Sequence, residues 1–215
     1  MLFIVFYMGC LRVGFRMLFA PSAILLAFVV SSASYSFAWP RPQLRTSYPL
    51  FNFDGNYAID GFAITDKPKG GHSTILFQII NRTIVLTGTL LPSPAGVASV
   101  SYRIMNPASA VWKLSPTTEI VIHLVGDGNT YRFLVKDGAA LDSSSDYSFQ
   151  REFKTVKGIR QEVRMRLNTF IPYLRGIQMP DDVVMDTSEI LQWGIQITSK
   201  TTGSFRLLIS DIRSE

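Results

Sequence analysis

The sequence predicts an all-β fold, a jelly-roll-like β-sandwich, preceded by an N-terminal hydrophobic leader. Beyond the leader, short segments rich in Val, Ile, Leu and Thr recur at close spacing, separated by Gly, Asn and Asp turn signals. Helical periodicity is nearly absent from the same region. The region has the length of one ordinary domain, which is enough to bury a substantial core.

Residues 1–38 form the predicted leader. They contain two basic residues, Arg12 and Arg16, no acidic residue, and an apolar run over 17–30. This order of a basic region, an apolar region and a small-residue exit is typical of a secretory signal. The favoured interpretation is therefore a signal peptide that directs export or entry into the secretory pathway.

The exit of the leader indicates where it would be cut. Small residues at Ser36 and Ala38 favour cleavage between Ala38 and Trp39. Two alternatives stay open: an uncleaved membrane anchor, because the apolar stretch approaches the length that spans a bilayer, and a mitochondrial targeting segment. Any contact with a membrane is expected to run through the leader alone.

Two further segments follow the leader. Residues 39–50 contain three prolines and are predicted to be an extended linker. The β-sandwich domain is predicted over 51–215, and it opens with alternating apolar residues at Phe51 and Phe53 before an Asp-Gly turn signal. The chain is thus expected to hold one folded domain.

About nine strands are predicted in this domain from runs of β-branched and aromatic residues. Asn81-Arg82 is interpreted as the turn between the first two. The predicted strands cover 74–80, 83–90, 96–105, 119–125, 130–135, 147–153, 161–167, 192–198 and 204–212.

Two connections receive specific predictions. The segment Gly126-Asp127-Gly128 is interpreted as the turn of a hairpin that joins the strands at 119–125 and 130–135. A short helical turn is predicted near 186–191, with Asp186 or Thr187 as its N-cap.

Charge and cysteine usage exclude several classes of function. The formal net charge is +5, and the basic residues are interleaved with acidic ones, whereas nucleic-acid binding requires a concentrated basic stripe. The only cysteine, Cys10, lies in the leader, so the domain has no disulfide and no thiolate metal site. No nucleic-acid partner, metal or cofactor is expected.

Six motifs occur in a fixed order along the predicted domain, and each is weak alone. They are Gly70-Gly71-His72-Ser73, Gly96-Val97-Ala98-Ser99-Val100, Gly126-Asp127-Gly128-Asn129-Thr130-Tyr131-Arg132-Phe133, Gln150-Arg151-Glu152-Phe153, Phe170-Ile171-Pro172-Tyr173-Leu174-Arg175-Gly176 and Gly203-Ser204-Phe205-Arg206-Leu207-Leu208-Ile209.

With these motifs, residues 51–213 resemble the complex I intermediate-associated protein 30 family. The resemblance implies a galactose-binding-domain-like jelly roll. It also implies a non-enzymatic, chaperone-like module that binds a protein partner, as family members do when they assist the assembly of respiratory complex I. A mitochondrial location would follow from that role, as the alternative to export.

Candidate binding residues come from the motif loops and the strand ends beside them. Arg175 could clamp a partner carboxylate or pin its own loop through backbone carbonyls. The sequon at Asn81 is a possible glycosylation site if the chain enters a secretory lumen. The candidate partner- or ligand-binding residues are His72, Asp127, Asn129, Tyr131, Tyr173 and Arg175.

No catalytic constellation is visible in the sequence. A hydrolase would need a nucleophile bonded to an oriented base, and the domain offers only His72 and His123, the latter on the expected solvent face of a strand. The stronger alternative is a carbohydrate-binding module, on fold analogy. Exposed, coplanar aromatic side chains would favour it, and the candidates are Tyr102, Trp112, Tyr131, Tyr173 and Trp193.

Overall fold

The computed structural model describes residues 47–51, 53, 60–94, 96–107, 110–142, 147–199 and 202–215. Within them the chain forms thirteen strands, one short α-helix, α1 (Gly138–Asp142), and two single-turn 3-10 helices at Lys67–Lys69 and Leu167–Thr169. The strands are β1 (Tyr48–Pro49), β2 (Gly61–Ile64), β3 (Thr74–Ile80), β4 (Thr83–Leu90), β5 (Ala98–Met105), β6 (Glu119–Val125), β7 (Thr130–Asp137), β8 (Tyr147–Lys154), β9 (Arg160–Arg166), β10 (Ile171–Leu174), β11 (Ile177–Gln178), β12 (Ile190–Ser199) and β13 (Gly203–Ser214).

The strands form two antiparallel sheets. Sheet A has the order β3-β4-β13-β6-β9, with β1 beside the end of β13. Sheet B has the order β11-β10-β8-β7-β12-β5-β2. Apolar side chains from both sheets share one buried cluster, so the fold is the predicted β-sandwich.

Alternation explains why these residues form strands. In β13, Phe205, Leu207 and Ile209 are buried, whereas Arg206 between them is exposed. Successive side chains of a strand point to opposite faces, so this pattern buries one face and leaves the other in water. Each of the nine predicted strands is confirmed, with ends that differ by two residues at most.

An aromatic cluster centred on Trp193 lies in the core. The Trp193 ring stacks on Phe133 at a centroid distance of 5.7 Å and on Trp112 at 6.1 Å, and Phe51 meets it edge-on at 5.3 Å. Large aromatic rings supply much of the buried apolar area of a core. The cluster therefore packs Trp193 of sheet B against Phe51, which precedes β2, and against Trp112, which lies between β5 and β6.

The predicted hairpin at Gly126-Asp127-Gly128 is wrong. Strand β6 pairs with β13 and β9 in sheet A, and β7 pairs with β12 and β8 in sheet B. The segment between them crosses from one sheet to the other. A Gly-Asp-Gly signal specifies a change of direction, but it does not specify which sheet the chain enters next.

The helical turn predicted at 186–191 is also wrong. The Asp186 side chain accepts hydrogen bonds from Ser188 N at 2.9 Å and Ser188 Oγ at 2.6 Å, which closes a local turn. Strand β12 then begins at Ile190. The same side-chain bonding that makes Asp a good N-cap also stabilises a turn that no helix follows.

Two shorter features complete the comparison. The Asn81-Arg82 turn is confirmed, with φ of 49° and 58°, the left-handed values that a two-residue hairpin turn requires. Among the described residues, no helix is long and apolar enough to cross a membrane. The leader and the Ala38–Trp39 cleavage point lie outside the described residues.

Candidate functional site

Asp127 links the two sheets. Its carboxylate accepts hydrogen bonds from Asn129 N at 2.9 Å, Tyr131 Oη at 2.9 Å and Arg206 N at 2.7 Å. Burial alone would raise the pKa of this carboxyl, but the backbone donors of Arg206 and Asn129 hold it below its usual range. Asp127 therefore stays ionised and ties the crossing segment to β13.

Asn129 and Tyr131 belong to the same cluster. The Asn129 carbonyl accepts hydrogen bonds from Thr155 N at 3.1 Å and Thr155 Oγ1 at 2.8 Å. Tyr131 is only 1 % exposed, and its ring stacks on Phe153. Burial, followed by the charge of Asp127, raises the pKa of the Tyr131 phenol. The structure thus brings three candidate residues together at the junction between the sheets, with the Tyr131 ring inside the core.

His72 lies elsewhere, exposed in the loop before β3. That loop is shaped by Asp66, whose side chain accepts hydrogen bonds from Ser73 N at 3.0 Å and Ser73 Oγ at 2.7 Å. A Cβ atom at Gly71 would lie 2.2 Å from Asp66 Cγ, so only glycine fits there. The Gly-Gly motif thus has a structural cause in Asp66, which the sequence analysis did not single out.

Tyr173 and Arg175 lie on and beside β10, near one edge of sheet B. Arg175 and Gly176 form the turn between β10 and β11, with φ of 50° and 90°, and Arg175 is exposed. The Tyr173 ring points outward from the sheet, with Arg132 Cζ 5.5 Å from its centroid. No hydrogen bond among the described residues joins His72, the Asp127 cluster and this region.

Sheet B carries a polar outward surface, which we call the B face. Its strands place polar side chains opposite the core residues that alternate with them, across five neighbouring strands. The B face consists of Arg103, Arg132, Gln150, Tyr173, Gln192 and Gln196.

The B face is held by amide and guanidinium hydrogen bonds. Arg103 Nη1 donates to Gln192 Oε1 at 3.2 Å, and Arg132 Nη1 donates to Gln150 Oε1 at 3.5 Å. Gln196 Nε2 donates to Ser99 Oγ at 3.0 Å, whereas Gln196 Oε1 is buried and accepts no hydrogen bond from the described residues. Buried acceptors are normally satisfied, so a bridging water is expected at this oxygen.

A glycine makes part of this surface possible. A Cβ atom at Gly194 would lie 2.5 Å from the Tyr102 carbonyl oxygen and 2.9 Å from Arg103 Cδ. The absence of a side chain therefore lets Arg103 lie across β12 towards Gln192. The sequence analysis missed the B face except for Tyr173.

Sheet A carries a different outward surface, the A face, formed by His123, Glu162, Arg164, Asp211, Arg213 and Glu215. Arg164 lies 2.6 Å from both Glu162 and Glu215, and Arg213 lies 2.9 Å from Glu215. His123, which is partly exposed as predicted, lies 2.9 Å from Glu162 and 3.2 Å from Asp211. The charges of the A face satisfy one another.

The chemistry of the two faces follows from the groups they bring together. Among the described residues, no group of three or more His, Cys, Asp or Glu side chains could hold a metal ion. Within the same residues, the ring of His123 contacts carboxylates and a guanidinium, and no nucleophile is hydrogen-bonded to it as a triad would require. The B face can instead bind: guanidinium, amide and phenol groups recognise carboxylates, backbone amides and hydroxyls.

The aromatic residues named as possible sugar platforms are mostly internal. Trp112, Tyr131 and Trp193 are buried, and Tyr102 stacks on Phe77 at 4.5 Å between the sheets. Tyr173 is the one member of that set whose ring lies on the B face. A sugar site built on several coplanar rings is therefore not present in this set.

Comparison with known proteins gives a family and a fold. Residues 51–209 match the sequence model of a family described as Complex I intermediate-associated protein 30. No curated protein matches the chain at a significant level.

Solved structures of carbohydrate-binding modules share the fold. A family 11 module of a cellulosomal cellulase of Clostridium thermocellum has a TM-score of 0.57 and 11% identity, over 79% of this chain and 94% of the module. The same family in complex with a beta-1,3-1,4-mixed-linked tetrasaccharide gives 0.54 and 12%, over 78% and 94%. A family 30 module gives 0.52 and 12%, over 79% and 87%. These likenesses confirm the jelly-roll sandwich.

Proposed function

Because the chain belongs to the complex I intermediate-associated protein 30 family, we propose that it is a non-catalytic protein-binding module that assists the assembly of respiratory complex I. The match over residues 51–209 is the observation that carries this proposal. It runs from Phe51 into β13 and covers β2 to β12 in full, so the family assignment rests on the folded domain. The partner would be an assembly intermediate of the complex.

The B face is the surface we assign to this partner. Within the described residues, the guanidinium of Arg132 makes a hydrogen bond to Gln150 and an ion pair with Glu152, both 3.5 Å long. Such contacts are weak, and the guanidinium can exchange them for a bidentate contact to a partner carboxylate. Tyr173 beside it supplies apolar area together with a polar hydroxyl, a combination enriched in protein interfaces.

A role in respiratory complex assembly also implies a function for the leader. Residues 1–38 would then act as a mitochondrial targeting segment, in place of the export signal that their sequence pattern favours. Cleavage between Ala38 and Trp39 and use of the Asn81 sequon stay predictions. The two locations predict different states of Asn81. N-glycosylation requires a secretory lumen, so Asn81 can carry a glycan only if the chain is exported.

The experiment is a rescue assay in cells from which the endogenous protein has been removed. Complex I assembly is followed on native gels after the return of the full chain, of the Arg132→Ala/Tyr173→Ala double variant, or of Arg206→Ala. We expect the wild type and Arg206→Ala, which removes an exposed positive charge from sheet A, to restore assembly. The double variant should accumulate normally yet fail to restore it. Normal assembly in cells that lack the protein would overturn the proposal.

A carbohydrate-binding module is the second candidate. It is favoured by Tyr173 and Arg132, which place an aromatic ring beside a guanidinium and the amide of Gln150 on the B face. Isothermal titration of the purified protein with a mixed-linkage β-glucan oligosaccharide tests it. Heat that saturates and is lost in Tyr173→Ala would establish a sugar site, whereas no heat at millimolar oligosaccharide would remove this candidate.

A further inference from the structure

The two edges of sheet A differ in charge. The edge strand β9 carries Arg160, Glu162, Arg164 and Arg166 in seven residues, and three of these form ion pairs. The other edge strand, β3, has the sequence Thr-Ile-Leu-Phe-Gln-Ile-Ile and contains no charge and no proline. Proteins usually protect edge strands with charges, prolines or bulges, because an open edge pairs with other chains.

Strand β3 is also regular and exposes apolar side chains. It pairs with β4 in one uninterrupted register over all seven residues, without a bulge. On its outward face Leu76 is 53% exposed and Ile80 is 48% exposed. These two large apolar side chains lie four residues apart on one face of the strand, where a neighbouring strand can cover them.

The backbone of β3 offers a defined set of free hydrogen-bonding groups. Ile80 and Thr83 flank the two-residue turn, so this pair is hydrogen-bonded within the hairpin. Alternation then directs the N–H and C=O groups of Ile75, Phe77 and Ile79 away from β4. Across the described residues, none supplies a partner strand on that side.

The inward-facing residues of β3 are arranged symmetrically about Phe77. Ile75 and Ile79 lie two residues to either side, and all three share the inward face. If two copies of β3 meet antiparallel with a two-fold axis at Phe77, then Phe77 faces Phe77 and Ile75 faces Ile79. These are the same residues whose backbone N–H and C=O groups point away from β4, towards the free edge of the strand. A two-fold contact requires this kind of self-complementary surface.

We propose that β3 is a homodimerisation edge, on which a second copy of this chain pairs antiparallel about Phe77 to join two A sheets into one. The occupant is a second copy because the strand is complementary to itself and brings no like charges together. Three facing pairs would exchange about six backbone hydrogen bonds. The centre is held in place in each copy, since the Phe77 ring stacks on Tyr102 at 4.5 Å.

This register makes a specific statement about the outward face. Leu76 of one copy lies opposite Gln78 of the other, twice in the dimer. Two lysines introduced at 76 and 78 would therefore face each other across the edge, whereas a lysine at 76 and a glutamate at 78 would form ion pairs. Both positions are exposed, so neither change disturbs the core.

The test is sedimentation velocity of the full chain, purified from cells that process it naturally, over a range of concentrations. We expect a concentration-dependent dimer for the wild type. Leu76→Lys/Gln78→Lys should raise the dissociation constant by about tenfold or more. Leu76→Lys/Gln78→Glu should restore it, and Ser204→Lys, an exposed change on β13, should leave it unchanged. Circular dichroism confirms that each variant is folded.

Three results would overturn the proposal. The first is a wild type that stays monomeric up to about 100 μM, a concentration at which contacts of micromolar affinity are populated. The second is a folded Leu76→Lys/Gln78→Lys variant that dimerises like the wild type. The third is amide exchange at Ile75, Phe77 and Ile79 that does not slow as protein concentration rises. A monomeric wild type would also overturn it if the β3 variants no longer bind a different protein that the wild type binds. The edge would then belong to a strand of that other protein.

Discussion

The A face and the B face are the outward surfaces of two sheets of similar size, yet their arginines are held differently. On the A face, Arg164 lies 2.6 Å from each of two carboxylates. On the B face, the hydrogen bond of Arg132 to Gln150 and its ion pair with Glu152 are both 3.5 Å long. Arginines on strands of one protein can therefore differ in how tightly neighbouring groups hold them. The proposed binding role of the B face rests on this difference.

The largest loss of stability is expected when the hydrogen bonds of Asp127 between the two sheets are removed. Asp127→Ala removes the acceptor for Tyr131 Oη and for two backbone N–H groups, and it should cost about 2–4 kcal/mol of unfolding free energy. Thermal and denaturant unfolding measure the loss. Asp186→Ala is the matched control, because within the described residues that carboxylate accepts hydrogen bonds from Ser188 alone, in an exposed turn. Equal losses in the two variants would contradict a special role for Asp127.

The second effect acts on the B face alone. Gly194→Ala would drive a methyl group into the Tyr102 carbonyl and Arg103, and overpacking of this kind should cost about 1–3 kcal/mol. Gly138→Ala is the control, since its methyl group would meet the flexible end of Glu189 at 2.9 Å. Unfolding in denaturant should separate the pair clearly. A stable Gly194→Ala variant would mean that Arg103 can leave the face without cost.

The third prediction compares two arginine variants, one on each face, which should lose different properties. Arg213→Ala should lower stability by up to about 1 kcal/mol, because it removes a member of the ion-pair network, and should leave partner binding intact. Arg132→Ala should lower stability by less, through loss of the contact with Tyr173, and should abolish partner binding. Paired unfolding and binding measurements decide. The comparison of the faces fails if both variants lose the same property.

The smallest effect is a pH dependence on the A face. The hydrogen bond to His123, followed by the one to Arg164, holds the pKa of Glu162 below its usual value of 4.5. The stabilisation is therefore complete above about pH 4.5 and disappears as pH falls through the lowered pKa. Between about pH 6 and pH 3, we expect the melting temperature of the wild type to fall further than that of Glu162→Gln. Parallel curves would place the acid sensitivity elsewhere, for example at Glu215.

The sequence predicted the strands well because their signal is local. The alternation in β13, or the two-residue turn after β3, depends on neighbours only. The choice of sheet at Gly126-Asp127-Gly128 depends on Arg206, which lies far along the chain and donates to Asp127. No sequence pattern near residue 127 predicts that contact. The Gly-Asp-Gly segment alone favoured a hairpin, and this prediction was wrong.

The candidate site was only partly predictable for the same reason. Tyr173 was chosen as a candidate from its motif. Arg132 and Gln150 also lie in motifs, but together with Gln196 they look like ordinary outward residues of strands. They converge only because β7 lies between β8 and β12. A sequence analysis that assumed consecutive pairing would place Gln196 far from Arg132, although the two face each other across paired strands.

The place of β13 has a consequence for how the chain is made. It is the last described strand to be synthesised, yet it lies at the centre of sheet A, between β4 and β6. Until residue 214 has left the ribosome, β3-β4 and β6-β9 are two separate ribbons, and β4 and β6 each lack the partner strand that β13 supplies. Cooperative closure of the sandwich must therefore follow translation of β13. A nascent chain at this stage exposes strand edges and is a natural client for chaperones.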